Sequence, residues 1–167
     1  MELIKIDGAF GEGGGQIIRS AVTLSSLTQK PIEIENIRKN RKVSGLRPQH
    51  LTGIRILAKI CNAKVEGLSV GSTKIRFFPS KIIDTQLKED VGTAGSIPLI
   101  LQILIPAISI SKKRLKMIIT GGTDVLWSPT SDYTKIVLRE AYARLGINFY
   151  MDIKRRGYYP RGGGIVD

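Results

Sequence analysis

Apolar residues along this chain recur in two rhythms, and the rhythms follow the same order in both halves. Alternation at 3–6 predicts a strand. A 3.6-residue period predicts a helix over 14–27, with Ile17, Ala21 and Leu24 on one face and Gln16, Arg19 and Thr23 on another. A strand over 31–37 follows, then a helix over 48–61 carrying Leu51, Ile54, Ala58 and Cys61 at 3-4-3 spacing, with Pro48 in its first turn. Short strands are predicted at 63–66 and 73–78. The order then repeats. A strand at 82–87 enters the small-residue loop Gly92-Thr93-Ala94-Gly95-Ser96, and a helix over 97–108 begins on Ser96 as its N-cap. A strand over 115–120 leads to the loop Gly121-Gly122-Thr123-Asp124. A helix over 131–145 closes on Gly146, and strands follow at 147–153 and from 164 onward.

A period of roughly 80 residues exceeds that of solenoid repeats. It predicts an α+β chain made of two copies of one unit, 1–79 and 80–167. Each copy has two helices packed on one face of a four-stranded β-sheet.

Composition narrows the partner. The 167 residues, 42% of them hydrophobic, suffice to bury a core. Lys and Arg number 26 against 14 Asp and Glu, a net charge of +12, which points to a polyanion such as nucleic acid, or to an acidic membrane surface. The longest apolar stretch, 97–110, carries two prolines and is too short to span a bilayer. No signal peptide is visible at the start of the chain, and the expected location is the cytoplasm. One cysteine, Cys61, excludes an intrachain disulfide and a Cys-based zinc site and reads as a core filler.

The charge is concentrated. No acidic residue occurs between Glu35 and Glu66, while Arg38, Lys39, Arg41, Lys42 and Arg47 flank a loop broken by Gly45 and Pro48. Arginine forks entering a helix suit phosphate oxygens. The one histidine, His50, follows Arg47 by three residues on the same helical face and is placed to donate to a phosphate or to serve the fold. A second basic cluster, Lys154, Arg155, Arg156 and Arg161, surrounds Tyr158 and Tyr159; it suits base stacking or an ordinary strand edge.

Chemistry also gathers on glycine. The run Gly11-Glu12-Gly13-Gly14-Gly15-Gln16 lies between a strand and a helix, where bare backbone amides and the helix start favour an anion. It lacks the third glycine of a dinucleotide fingerprint and the Gly-Lys-Ser/Thr ending of a P-loop. Glu12 within it is a cap or a cation ligand. In the second half, Gln102 is the polar residue of an apolar helix, reading a ligand edge, bonding backbone or facing solvent. Pro129 precedes a helix as a terminator or as a flat surface for a base.

These segments form an ordered set: the glycine run with Arg19, then Gly45-Leu46-Arg47-Pro48-Gln49-His50-Leu51, Thr93-Ala94-Gly95-Ser96, Gly121-Gly122-Thr123, Asp132-Tyr133, and Arg156-Gly157-Tyr158-Tyr159-Pro160 with Gly162-Gly163-Gly164. The set closely resembles the N-terminal portion of RNA 3′-terminal phosphate cyclases, archaeal-like in pattern. The resemblance implies repeated units of two helices on a four-stranded sheet, the unit also found in enolpyruvyl transferases and in the C-terminal domain of a bacterial translation initiation factor. It implies ATP and a divalent cation (Mg or Mn) as cofactors, and RNA with a 3′-terminal phosphate as the partner converted to a 2′,3′-cyclic phosphate through an adenylylated histidine. By the same resemblance Glu12 is the metal ligand and part of the cofactor site. Gln102 and Pro129 contact adenine, and Arg19, Arg38, Arg41 and His50 hold substrate phosphates. The family's nucleophilic histidine has no counterpart here. Family members run to about twice this length, so these residues are expected to hold half an active site and to be inactive alone. Two other classes stay open: a non-catalytic cyclase-like RNA-binding factor in ribosome biogenesis, and a transferase of small phosphorylated metabolites on the same fold.

Overall fold

In the computed structural model, which describes residues 2–167, the chain forms two four-stranded sheets of the same design. The first contains β1 (Ile4–Asp7), β2 (Ile32–Glu35), β3 (Lys64–Glu66) and β4 (Ile75–Phe78) in the order β1-β2-β4-β3. The second contains β5 (Thr85–Asp90), β6 (Leu115–Gly121), β7 (Ile153–Arg155) and β8 (Gly164–Val166) in the order β5-β6-β8-β7. In each sheet the first two strands run parallel and the remaining pairs are antiparallel. A parallel pair needs a crossover, and each sheet's crossover is a helix of 14 residues: α1 (Gly15–Thr28) and α3 (Ile97–Ile110).

The helices join the two sheets. α2 (Pro48–Ile60) and α1 both pack on α3, so one core runs through both halves, and Ile18, Ile54 and Leu57 belong to the same buried cluster as Ile100, Ile103 and Leu104. Contact is close because α2 presents Gly53, where a Cβ would stand 2.5 Å from Ile103 Cδ1. Thr23 Oγ1 on α1 donates to the Ile103 carbonyl at 3.2 Å, a carbonyl brought within its reach by that packing. The helical face read from the sequence is therefore displaced. Thr23 is buried and Leu24 is exposed, because α1 turns Ile18, Val22 and Thr23 toward its neighbours. Ser96 caps α3 as expected, accepting from the Leu99 amide at 3.3 Å.

Two strands differ from the sequence reading. β5 starts three residues later than expected, because Ile82 and Ile83 close the first half instead: Ile82 is buried and the Ile83 amide donates to Ile60 O. The inward positions of β5 include Glu89, a charged residue that breaks the apolar alternation and is neutralised by Arg55 (3.1 Å) and Lys59. Residues 147–152 form no strand; their alternation is real, but Met151 is buried in the core and Phe149 meets Tyr142 edge to face at 6.2 Å. The last helical run is α4 (Ser131–Tyr133), a π-helical turn (Thr134–Leu138) and α5 (Arg139–Ala143), with Gly146 at φ +76° just beyond. Only Ser131 and Thr134 of this run are buried, and Ile136 and Val137 face solvent. No described helix is long and apolar enough to cross a membrane.

Candidate anion-binding site

The glycine run and the basic loop meet at one end of the first sheet. Gly11 and Gly13 adopt φ of +58° and +60°, which lets the chain turn twice between β1 and α1. Asn40 of the basic loop donates to Ala9 O (2.9 Å) and Gly11 O (3.2 Å), fastening the two segments together. Arg41 Nη2 then reaches Glu12 Oε2 at 2.7 Å. Both side chains are open to solvent, so the pair adds at most about 1 kcal/mol and yields readily to a phosphate or a cation.

Arg38 does two things. Its backbone is left-handed (φ 56°), and its Nη1 donates to Val43 O (2.8 Å) and Gly45 O (3.0 Å), folding the loop over itself. The expectation of a pure phosphate ligand is thus modified, since one guanidinium nitrogen is committed to loop carbonyls. Burial, then the charges of Arg47 and Arg41, hold the Arg38 guanidinium below its usual basicity.

His50 is buried at the first turn of α2. Its Nδ1 accepts the Arg47 amide at 3.1 Å, so the neutral ring carries its proton on Nε2. Nε2 faces the start of α1, where a Cβ on Gly15 would lie 2.3 Å away. Burial first, then Arg38, Arg19 and Arg47, push the imidazole down to about 3. The unfolded ring, near 6.5, therefore takes up a proton before the folded one. His50 contributes stability that is present above about 6.5 and lost as pH falls toward 3. Urea unfolding should show a loss of about 1 kcal/mol between about pH 7 and 5.5 from this group. His50→Gln, whose amide oxygen still accepts the Arg47 N–H, should remove that slope; an unchanged slope would assign it to other groups.

Arg19 lies on α1, one turn beyond Gly15. Burial lowers its basicity, and among the described residues it has no carboxylate partner. It opens on a groove of 410 Å³ with Gln16, Ser20 and Thr23 on one side and Gln102, Pro106 and Tyr142 on the other. The structure thus places Arg19 and Gln102 together between α1 and α3. The Arg19 charge also helps to lower the basicity of His50, as do Arg38 and Arg47 of the arginine loop, so the groove and the loop share one electrostatic field. Pro129 is half-buried, two residues ahead of α4, and does not line the groove. A cavity of 640 Å³ lies between α3, β6 and residues 146–151, and a shallower one of 1030 Å³ lies beside Pro31, Phe78 and Ile83; none of the predicted site residues lines either.

One contact was missed from sequence. Gln49 Oε1 accepts the Ser96 amide at 3.0 Å, tying the start of α2 to the 92–96 loop of the second half. A polar residue one position before His50 was the available signal, but its partner is 47 residues away. Among the described residues no three carboxylate, histidine or cysteine groups converge. Glu12 alone is therefore a fit only for a cation that completes its shell with phosphate oxygens and water, as magnesium does.

A model of the family described as RNA 3′-terminal phosphate cyclase matches residues 10–167. The chain is 51% identical over 165 residues to a protein of Methanococcoides burtonii with that name, and 52% identical over 166 residues to one of Thermococcus kodakarensis. A third, from Pyrococcus furiosus, is 51% identical over 164 residues. These matches cover 98–99% of this chain and 48–50% of each relative, so the chain spans about half the length of the curated relatives it matches.

Proposed function

Since this chain belongs to the RNA 3′-terminal phosphate cyclase family, we propose that it supplies the nucleotide- and phosphate-binding part of an ATP-dependent enzyme that closes an RNA 3′-phosphate into a 2′,3′-cyclic phosphate. The observation that carries the reading is the crowding of Arg19, Arg38 and Arg47 around a neutral, buried histidine, with Glu12 the carboxylate paired to the neighbouring Arg41. Burial makes the charges of Arg19 and Arg38 costly beside a third, exposed arginine, and an incoming polyanion relieves the cost.

The residues divide the work by position. His50 Nε2 and the amides at the start of α1 donate to phosphate oxygens, and Arg19 and Arg41 balance their charge. Arg38 holds the loop that carries Arg41. Gln102 offers an amide able to read an adenine edge from the far side of the groove, with Pro129 the weaker adenine contact. Glu12, released from Arg41, holds a divalent cation, magnesium or manganese, together with the phosphates. Bound ATP supplies the activating nucleotide for the terminal phosphate.

The test compares single-stranded RNA decamers ending in a 3′-phosphate or a 3′-hydroxyl. The phosphate form should bind more tightly, with affinity falling by a log–log salt slope of roughly −0.7 for each phosphate neutralised. Arg41→Ala should flatten that slope by about one phosphate and narrow the preference. Replacing exposed Lys64, far along the first sheet, should do little. Equal binding of the two decamers to the wild-type chain would overturn the reading.

A further inference from the structure

Three large aromatic side chains of the second half stand in solvent without packing duty. Trp127 is 98% exposed, Tyr159 81% and Tyr158 55%. They lie on two loops, 121–130 and the turn between β7 and β8, and those loops are stitched into one body. Arg156 donates to Asp124 Oδ2 (3.1 Å) and to both oxygens of Asp132 (2.9 and 2.8 Å). The Gly157 amide donates to Thr123 Oγ1 at 2.9 Å, and the Thr123 amide returns to Gly157 O at 2.8 Å. Trp127 keeps a left-handed backbone (φ 63°), an unfavourable setting for a bulky residue, while its indole points away from the protein. Exposed aromatics on rigid supports lose little freedom when a flat partner stacks on them.

The surroundings select that partner. Arg156 is spent on Asp124 and Asp132, but Arg155 and Arg161 are exposed and, among the described residues, lack carboxylate partners. The platform also adjoins the anion site. Gly162 sits against the 92–96 loop, where a Cβ would come within 2.6 Å of Thr93 O. That loop in turn is held by Gln49, the neighbour of His50. Arg155 Nε donates to Gly163 O at 2.8 Å, which fixes the side chain without neutralising it. Aromatic rings flanked by arginines whose charge no carboxylate balances, next to a phosphate site, match a strand whose bases are unpaired and whose phosphates need cations.

We propose that Tyr158, Tyr159 and Trp127 form a stacking platform for the unpaired bases of single-stranded RNA just upstream of its 3′ end, with Arg155 and Arg161 on the intervening phosphates. The proposal rests on the RNA reading given above and extends it from the terminal phosphate to the preceding nucleotides.

Trp127 is the one tryptophan of the chain, so its fluorescence reports directly on stacking. The probes are a 3′-phosphorylated adenosine decamer, the same decamer with abasic upstream positions, and adenosine 3′-phosphate. The intact decamer should quench Trp127 and the abasic one should not. Tyr159→Ala should weaken the intact decamer by roughly 5- to 100-fold, leaving adenosine 3′-phosphate unchanged. Tyr159→Phe should restore decamer binding, since the ring is what stacks. Equal affinity of intact and abasic decamers, or an unchanged affinity in Tyr159→Ala, overturns the platform. A 3′-hydroxyl decamer that binds as tightly as the phosphorylated one, yet still quenches Trp127, would remove the terminal-phosphate reading and leave the platform standing.

Discussion

Arg19→Ala should weaken ATP binding by roughly 10- to 100-fold while leaving the protein as stable as before, or more stable. The two effects have one cause. Arg19 is half-buried, burial depresses its basicity, and no carboxylate among the described residues compensates it. A charge withdrawn from water without a partner costs folding free energy. Arg19 shares its groove with Gln102, the proposed adenine contact, so its guanidinium would balance the phosphates of ATP as well as those of the RNA end. An arginine retained for the fold would behave in the opposite way, since its removal would lower the melting temperature and spare binding. Calorimetric titration with ATP and thermal melts of the same variant separate the cases. A loss of stability with unchanged ATP affinity would make Arg19 a structural residue. Arg19→Lys should recover charge but not the fork, and so restore only part of the affinity.

The second large effect concerns the loop that carries the arginines. Gly45→Ala should cost about 3 kcal/mol, a fall in melting temperature of roughly 6–12 °C for a chain of this size. Gly45 has φ +77°, and a Cβ there would stand 2.2 Å from Gly71 O, a backbone atom with nowhere to go. The same amide donates to Ile37 O at 2.8 Å, so the loop cannot shift without losing that bond. Gly71 is the control. Its φ is +84°, but nothing lies within 4 Å of its missing Cβ. Gly71→Ala should therefore cost only the conformational strain, about 1 kcal/mol. Equal losses in the two variants would mean that positive φ alone matters and that the Gly45–Gly71 contact relaxes freely. Because Arg38 bonds the Gly45 carbonyl, Gly45→Ala should also loosen the arginine cluster and weaken RNA binding.

Local chemistry carried far in this chain. The strand–loop–helix order, the repeat, the Ser96 cap and the glycine and arginine segments were all legible, because each depends on neighbours within a few residues. The identical strand orders of the two sheets agree with a repeat inferred from periodicity alone. Tertiary structure decided what depends on distant partners. Leu24 faces solvent and Thr23 is buried because α3 lies against α1, a contact 80 residues away that no local period encodes. Residues 147–151 alternate like a strand but bury their apolar side against the core, and backbone pairing begins only at Asp152, which exchanges hydrogen bonds with Asp167, since alternation reports a buried face and not its partner. Charge density in the sequence marked Arg38 and Arg41, and the resemblance added Arg19. Only folding distinguished them: Arg38 bonded to its own loop, Arg41 held by Glu12, and Arg19 desolvated and free beside Gln102. Residue type sets what a side chain can do, while the packing of α1, α2 and α3 sets which solvent, charges and carbonyls it meets.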